Sequence, residues 1–147
     1  MIGLMVSRPG LPGVALAACV MFASPVFAET VSFKADLKAG EEVPPNDSKA
    51  TGTVTATYDT ASKKLTWKGN YSGLTGPATM AHFHGPAEPG KNAGVAVPIA
   101  PSASPFENSA NLTDAQAADL LAGRWYVNVH TAAHPGGEIR GQLVKGM

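Results

Sequence analysis

The stretch TGTVTATYDTASKKLTWKGNYSGL, residues 51–74, constrains the fold more than any other part of the chain. Val54, Ala56 and Tyr58 alternate with Thr53, Thr55 and Thr57, and Leu65, Trp67, Gly69 and Tyr71 alternate with polar residues after the turn TASKK. A period of two is the signature of a strand with one face in a core and the other in solvent, and threonine suits the solvated face. Two such runs around a polar turn predict an antiparallel hairpin.

The same pattern recurs along the chain. TVSFKADLK (30–38) places Val31, Phe33, Ala35 and Leu37 on one face. ATMAHFHG, GVAVPIA, RWYVNVHT and GEIRGQLVK read as further short strands. AGEEVPPNDSKA, GPAEPGKNAG and PSASPFENSAN read as loops; Pro44 and Pro45 cannot sit in a central strand. One helix is predicted in LTDAQAADLLAG (112–123), with Thr113 and Gln116 forming a capping box, Leu120 and Leu121 facing inward and Gly123 closing it. About seven alternating strands and one short crossover helix predict an all-β fold, an antiparallel Greek-key β-sandwich or barrel.

The first 28 residues read differently. Arg8 is followed by a long apolar run that ends in Val26-Phe27-Ala28, the pattern of a cleavable export signal. This predicts a signal peptide at 1–28, one domain at 29–147, a periplasmic or secreted location, and no membrane insertion after cleavage. Leu16-Ala17-Ala18-Cys19 has the form of a lipoprotein signal and is the alternative. With Arg8 removed, the chain's eleven Lys and Arg become ten, against eleven Asp and Glu, a balance that argues against nucleic acid as partner. The single cysteine is Cys19, so the predicted domain has neither disulfide nor thiolate chemistry.

Chemistry must then come from other groups, and the four histidines are the candidates. Strand parity puts Ala81 and Phe83 on the core face, and Met80, His82 and His84 on the other. Trp125, Val127 and Val129 turn inward, which leaves Tyr126, Asn128 and His130 outward; Glu138, Arg140 and Gln142 likewise face out. If these strands are neighbours, His82, His84 and His130 converge, with His134 above them on the HPGG turn. An H-x-H pair on one strand face chelates well, and a third imidazole suits copper first and zinc second. Glu88 and Glu138 are the nearest carboxylates and are expected to be solvated. Arg140 and Glu138 are expected as a surface ion pair, or with Arg140 guiding an anion and Glu138 orienting a histidine. Tyr126 and Asn128 are expected to support the ligands or to lie plainly on the surface. No activated serine and no phosphate-binding loop is found in the sequence.

EEVPP (41–45), SKATGTVT (48–55), YSGLTGPATMAHFHGPAEPGKNAGV (71–95), LTDAQAADLLAGRWYVNVHT (112–131) and PGGEIRGQL (135–143) together resemble the CHRD domain, the module named after chordin. The resemblance implies an exported β-sandwich; in chordin such domains belong to an extracellular antagonist of growth factors. The histidine segments also bear a fainter similarity to copper/zinc superoxide dismutase, a Greek-key barrel. That similarity implies His82, His84 and His130 as copper ligands and Arg140 as the anion guide. No histidines remain for a zinc site and no disulfide is available, so at most a copper-only site carries over. His134 has no counterpart there.

Three readings follow. The first is a metal-binding domain, copper preferred, whose partner is the metal ion. The second is a copper-only dismutase-like enzyme, and the third a metal-free domain that binds another protein.

Overall fold

In a computed structural model, which describes Gly3 and residues 27–146, the predicted alternation becomes a set of antiparallel ladders. The expected leader through Val26, Cys19 included, lies outside the described residues apart from Gly3. The strands are β1 (Thr30–Lys38), β2 (Thr51–Asp59), β3 (Lys64–Ser72), β4 (Ala78–His84), β5 (Val95–Pro98), β6 (Phe106–Asn111), β7 (Tyr126–Thr131), β8 (Ile139–Gln142) and β9 (Val144–Lys145). They form one sheet in the order β5-β4-β7-β8-β1-β2-β3-β6, with β9 on β1. Every pairing is antiparallel, and the sheet is nearly closed into a barrel. The helix α1 (Asp114–Leu121) lies in the crossover from β6, at one end of the sheet, to β7.

The core follows the predicted parity. Phe33, Ala35, Leu37, Val54, Ala56, Tyr58, Leu65, Trp67, Ala81, Phe83, Val127 and Val129 are all buried. Trp67 of β3 meets Phe83 of β4 edge to face at 5.1 Å between ring centroids, and Phe83 meets Trp125 at 5.9 Å. The first contact joins strands far apart in the sheet order and so reaches across the barrel interior; the second packs Phe83 against the residue that leads into the neighbouring strand β7. Aromatic pairs in such geometries add about 0.5–1.5 kcal/mol each beyond the area they bury. The helix is capped as predicted: Thr113 Oγ1 accepts from Gln116 N at 3.2 Å, and Gln116 Oε1 accepts from Thr113 N at 2.9 Å.

Two expectations are corrected. PSASPFENSAN is not all loop: Phe106–Asn111 is the strand β6, paired with Lys64–Gly69 of β3. Its one large apolar anchor is Phe106, whose ring lies 2.4 Å from where a Cβ on Gly69 would sit. A glycine on β3 is thus what lets β6 dock. The second correction concerns β7, which is buried along its whole length rather than on alternate residues. Its outer face, with that of β8, is roofed by the segments 39–50, 85–94 and 132–137. Asn92 Nδ2 donates to Val43 O at 2.9 Å and Gln142 Nε2 donates to Ala87 O at 3.1 Å, tying these segments to each other and to the sheet. The functional residues lie under and beside this roof.

Candidate metal centre

β4 and β7 are neighbours, in the register Met80↔His130, His82↔Asn128 and His84↔Tyr126. The convergence expected from parity therefore occurs. One potential ligand atom from each of His82, His84 and His130 lies within 4.8 Å of the others. His84 and His130 are buried and His82 is partly so. This arrangement can hold a metal ion.

The ring nitrogens are not equivalent. His130 Nδ1 lies 2.9 Å from Pro135 O. A carbonyl only accepts, so Nδ1 carries the proton and Nε2 keeps its lone pair. That lone pair accepts a hydrogen bond from His82 Nδ1 at 3.1 Å, and an ion shared by the two nitrogens would take the place of that proton. Two imidazole nitrogens bound to one ion at about 2.0–2.1 Å stand about 2.8–3.4 Å apart for angles between square and tetrahedral, so this pair is already spaced for a shared metal. A backbone carbonyl that fixes the tautomer of a ligating histidine is the usual outer support. His84 is held on both sides, Nδ1 by Ala93 O at 3.0 Å and Nε2 by Asn128 Oδ1 at 2.9 Å. It must give up one of these bonds to ligate.

Burial, joined by the neighbouring imidazoles His130 and His84, lowers the pKa of His82. Burial also lowers that of His84, against the opposing pull of its bonds to Ala93 and Asn128. The site thus favours the neutral imidazole, which is the form that binds metal.

His134 is not among the three clustered histidines. It lines a cavity of about 240 Å³ with Glu42, Pro44 and Gly136. Tyr126 is stacked on His84, with centroids 4.8 Å apart and planes 5° apart, and the Arg140 guanidinium carbon sits 3.5 Å from the same ring's centroid. The phenol is thus held between imidazole and guanidinium.

The expected surface ion pair of Arg140 and Glu138 does not form. Arg140 is 2% exposed and donates to Lys91 O at 2.6 Å and to Asn92 Oδ1 at 2.9 Å, so it pins the 85–94 roof to the sheet. Meeting an anion from solvent would require that roof to open. Glu138 is neither solvated nor on a histidine. It is fully buried and accepts from Ser48 Oγ (2.6 Å), Thr131 Oγ1 (2.6 Å), Thr75 Oγ1 (2.8 Å) and Thr75 N (2.9 Å). Burial alone would raise its pKa, but these bonds outweigh burial and hold it down at about 2. Glu88 is exposed, as expected.

Sequence reasoning missed Glu42. Its side chain is buried, and its Oε1 has no hydrogen-bond partner. Burial pushes it up to about 7, opposed by the Arg140 guanidinium and the Asn128 amide. Gly137, at φ +128°, leaves it room: a Cβ there would fall 2.3 Å from Glu42 Oε1 and 2.6 Å from Asn128 Nδ2. Nothing in EEVPP distinguishes Glu42 from its exposed neighbour Glu41.

One family model, the CHRD domain, matches residues 33–143. The chain belongs to the CHRD-domain family. No curated protein and no solved structure matches it at a significant level. The match spans every residue of the histidine cluster and its roof, so the centre lies wholly inside the CHRD domain. No described helix is long and apolar enough to cross a membrane.

Proposed function

We propose that this CHRD domain works outside the cytoplasm as a transition-metal site, copper by preference, with His82, His84 and His130 as its protein ligands. The observation that carries the reading is the 3.1 Å approach of His82 Nδ1 to a His130 Nε2 whose tautomer is fixed by Pro135 O. Neutral imidazoles at that spacing in a partly buried setting suit Cu or Zn. Export is supported by the leader-like residues 1–28, and the absence of any cysteine after them leaves histidine nitrogen as the natural ligand. The buried place of Arg140 favours holding or carrying the ion over rapid turnover with a small anion.

The test is titration of the purified protein with copper and zinc, followed by desalting and metal analysis. One copper retained per chain is expected, and His82→Ala should lose it. Full retention by His82→Ala would remove the site. Failure of the unaltered protein to retain either metal would return the domain to the reading in which it binds another protein.

A further inference from the structure

Three imidazoles do not by themselves distinguish copper from zinc, but a fourth side chain stands on the same face. Ala81 and Phe83 are in the core, so Met80, His82 and His84 project together from β4. Met80 is directly opposite His130. The irregularity in the β4–β7 ladder falls between Ala78 and Met80, so the register from Met80 through His84 is continuous. Directly opposed residues have Cβ atoms about 4.5–5.5 Å apart, a gap that a methionine with three rotatable bonds spans readily.

Met80 has no packing duty that would hold its sulfur elsewhere: it is 47% exposed. It lines an open cavity of about 490 Å³ together with His82, Pro98, Ile99, Ala100 and Pro101. Thr79 and Ser102 bring the only side-chain oxygens to that wall and no carboxylate lines it, so it suits a soft ion over a hard one. We propose that the Met80 thioether is a ligand of this centre and makes it a copper(I) site: Met80, His82 and His130 hold the ion first, and His84 joins them on giving up its bond to Ala93 or Asn128. Thioether sulfur favours copper(I) and adds little for zinc, whereas imidazole serves both. A monovalent d10 ion is content with the three ligands this geometry offers.

The inference rests on the metal-site reading above, and the experiment separates the two. The unaltered protein, Met80→Leu and His82→Ala are titrated with copper(I) against a chromophoric chelator under anaerobic reducing conditions, and separately with zinc(II). Copper K-edge X-ray absorption is recorded for the first two. Met80→Leu should lose at least tenfold in copper(I) affinity, keep its zinc affinity, and lose the single sulfur scatterer seen in the unaltered protein; that last change also separates Met80 from Met147. If Met80→Leu keeps both its copper(I) affinity and its absorption spectrum while His82→Ala loses copper, the thioether ligand is overturned and the histidine site stands. Equal loss of copper and zinc in Met80→Leu means packing, not ligation, and overturns it too. If the unaltered protein binds neither ion, both readings fall together.

Discussion

The outer face of β2 and β3 and the outer face of β4, β7 and β8 obey the same parity rule and meet different fates. On the first, Thr57 and Thr66 stand opposite each other and exposed, with Lys68 nearby, also exposed. On the second, His84, Asn128, His130 and Arg140 point away from the core in the same sense, and all are buried. The difference is made by three loops. Segments 39–50, 85–94 and 132–137 fold over the second face and bring backbone carbonyls with them, at Ala93, Lys91 and Pro135. A strand side chain directed outward is therefore solvated only where no loop covers it. Where loops do cover the face, every polar group needs a partner, because leaving one unsatisfied costs about 1–3 kcal/mol.

The sharpest way to break that comparison is at Glu138. Glu138→Ala strips the partner from three hydroxyls and one backbone amide at once. The expected loss is on the order of 3–5 kcal/mol, measured by urea unfolding at pH 7. A loss under about 1 kcal/mol would mean that water satisfies these donors and that the roof is open. The same carboxylate sets the acid limit. Its folded pKa is depressed, so its contribution is complete above the unfolded value near 4.5 and disappears as pH falls toward about 2. The urea midpoint of Glu138→Gln should therefore fall less steeply than that of the unaltered protein as pH drops through that window.

Glu42 under the same roof has the opposite sign. Its folded pKa is raised from 4.5 to about 7, so the folded protein binds the extra proton across that interval. Its contribution is complete below about pH 4.5 and is lost as pH rises through about 7. Glu42→Gln should match the unaltered protein at pH 4.5 and exceed it at pH 8, by up to about 3 kcal/mol. Urea midpoints at the two pH values decide it. Equal midpoints for the two proteins at pH 8 would show that Arg140 compensates the ionised carboxylate fully, and that the covered face is less costly to charge than its burial implies.

The contrast also separates what a period of two can reveal from what it cannot. Alternation located β1 to β4 and β7, put His82 and His84 on one face, and named His130 as the third histidine. The Thr113–Gln116 capping box was equally legible, because both of its bonds are local. FENSAN reads as loop because Phe106 is its only large apolar residue, and what lets it dock as a strand is a glycine 37 residues earlier in β3. Glu138 was read as solvated because its partners are Ser48 and Thr75, 90 and 63 residues away, as well as Thr131. Pairing Arg140 with Glu138 fails for the same reason: its partners are the Lys91 carbonyl and the Asn92 amide oxygen, which reach it only once the 85–94 segment has closed. Pattern reports which way a side chain points; the path of the loops decides what it meets.

The smallest expected effect belongs to the open face, and it carries the other half of the argument. Thr57 is exposed on β2 and sits opposite Thr66, also exposed, on β3. Thr57→Ala removes a β-branched side chain and one cross-strand pair. Such pairs are worth about 0.2–1 kcal/mol, and substitutions at exposed sites fall mostly within about 0.5 kcal/mol. The loss should thus be several-fold smaller than that of Glu138→Ala in the same urea experiment, and it should not vary between pH 4.5 and pH 8, because no group on this pair titrates there. A loss of 2 kcal/mol or more would place Thr57 in a contact as demanding as those beneath the roof. The two faces would then differ in composition alone, and burial by the loops would no longer account for the sensitivity of the histidine face.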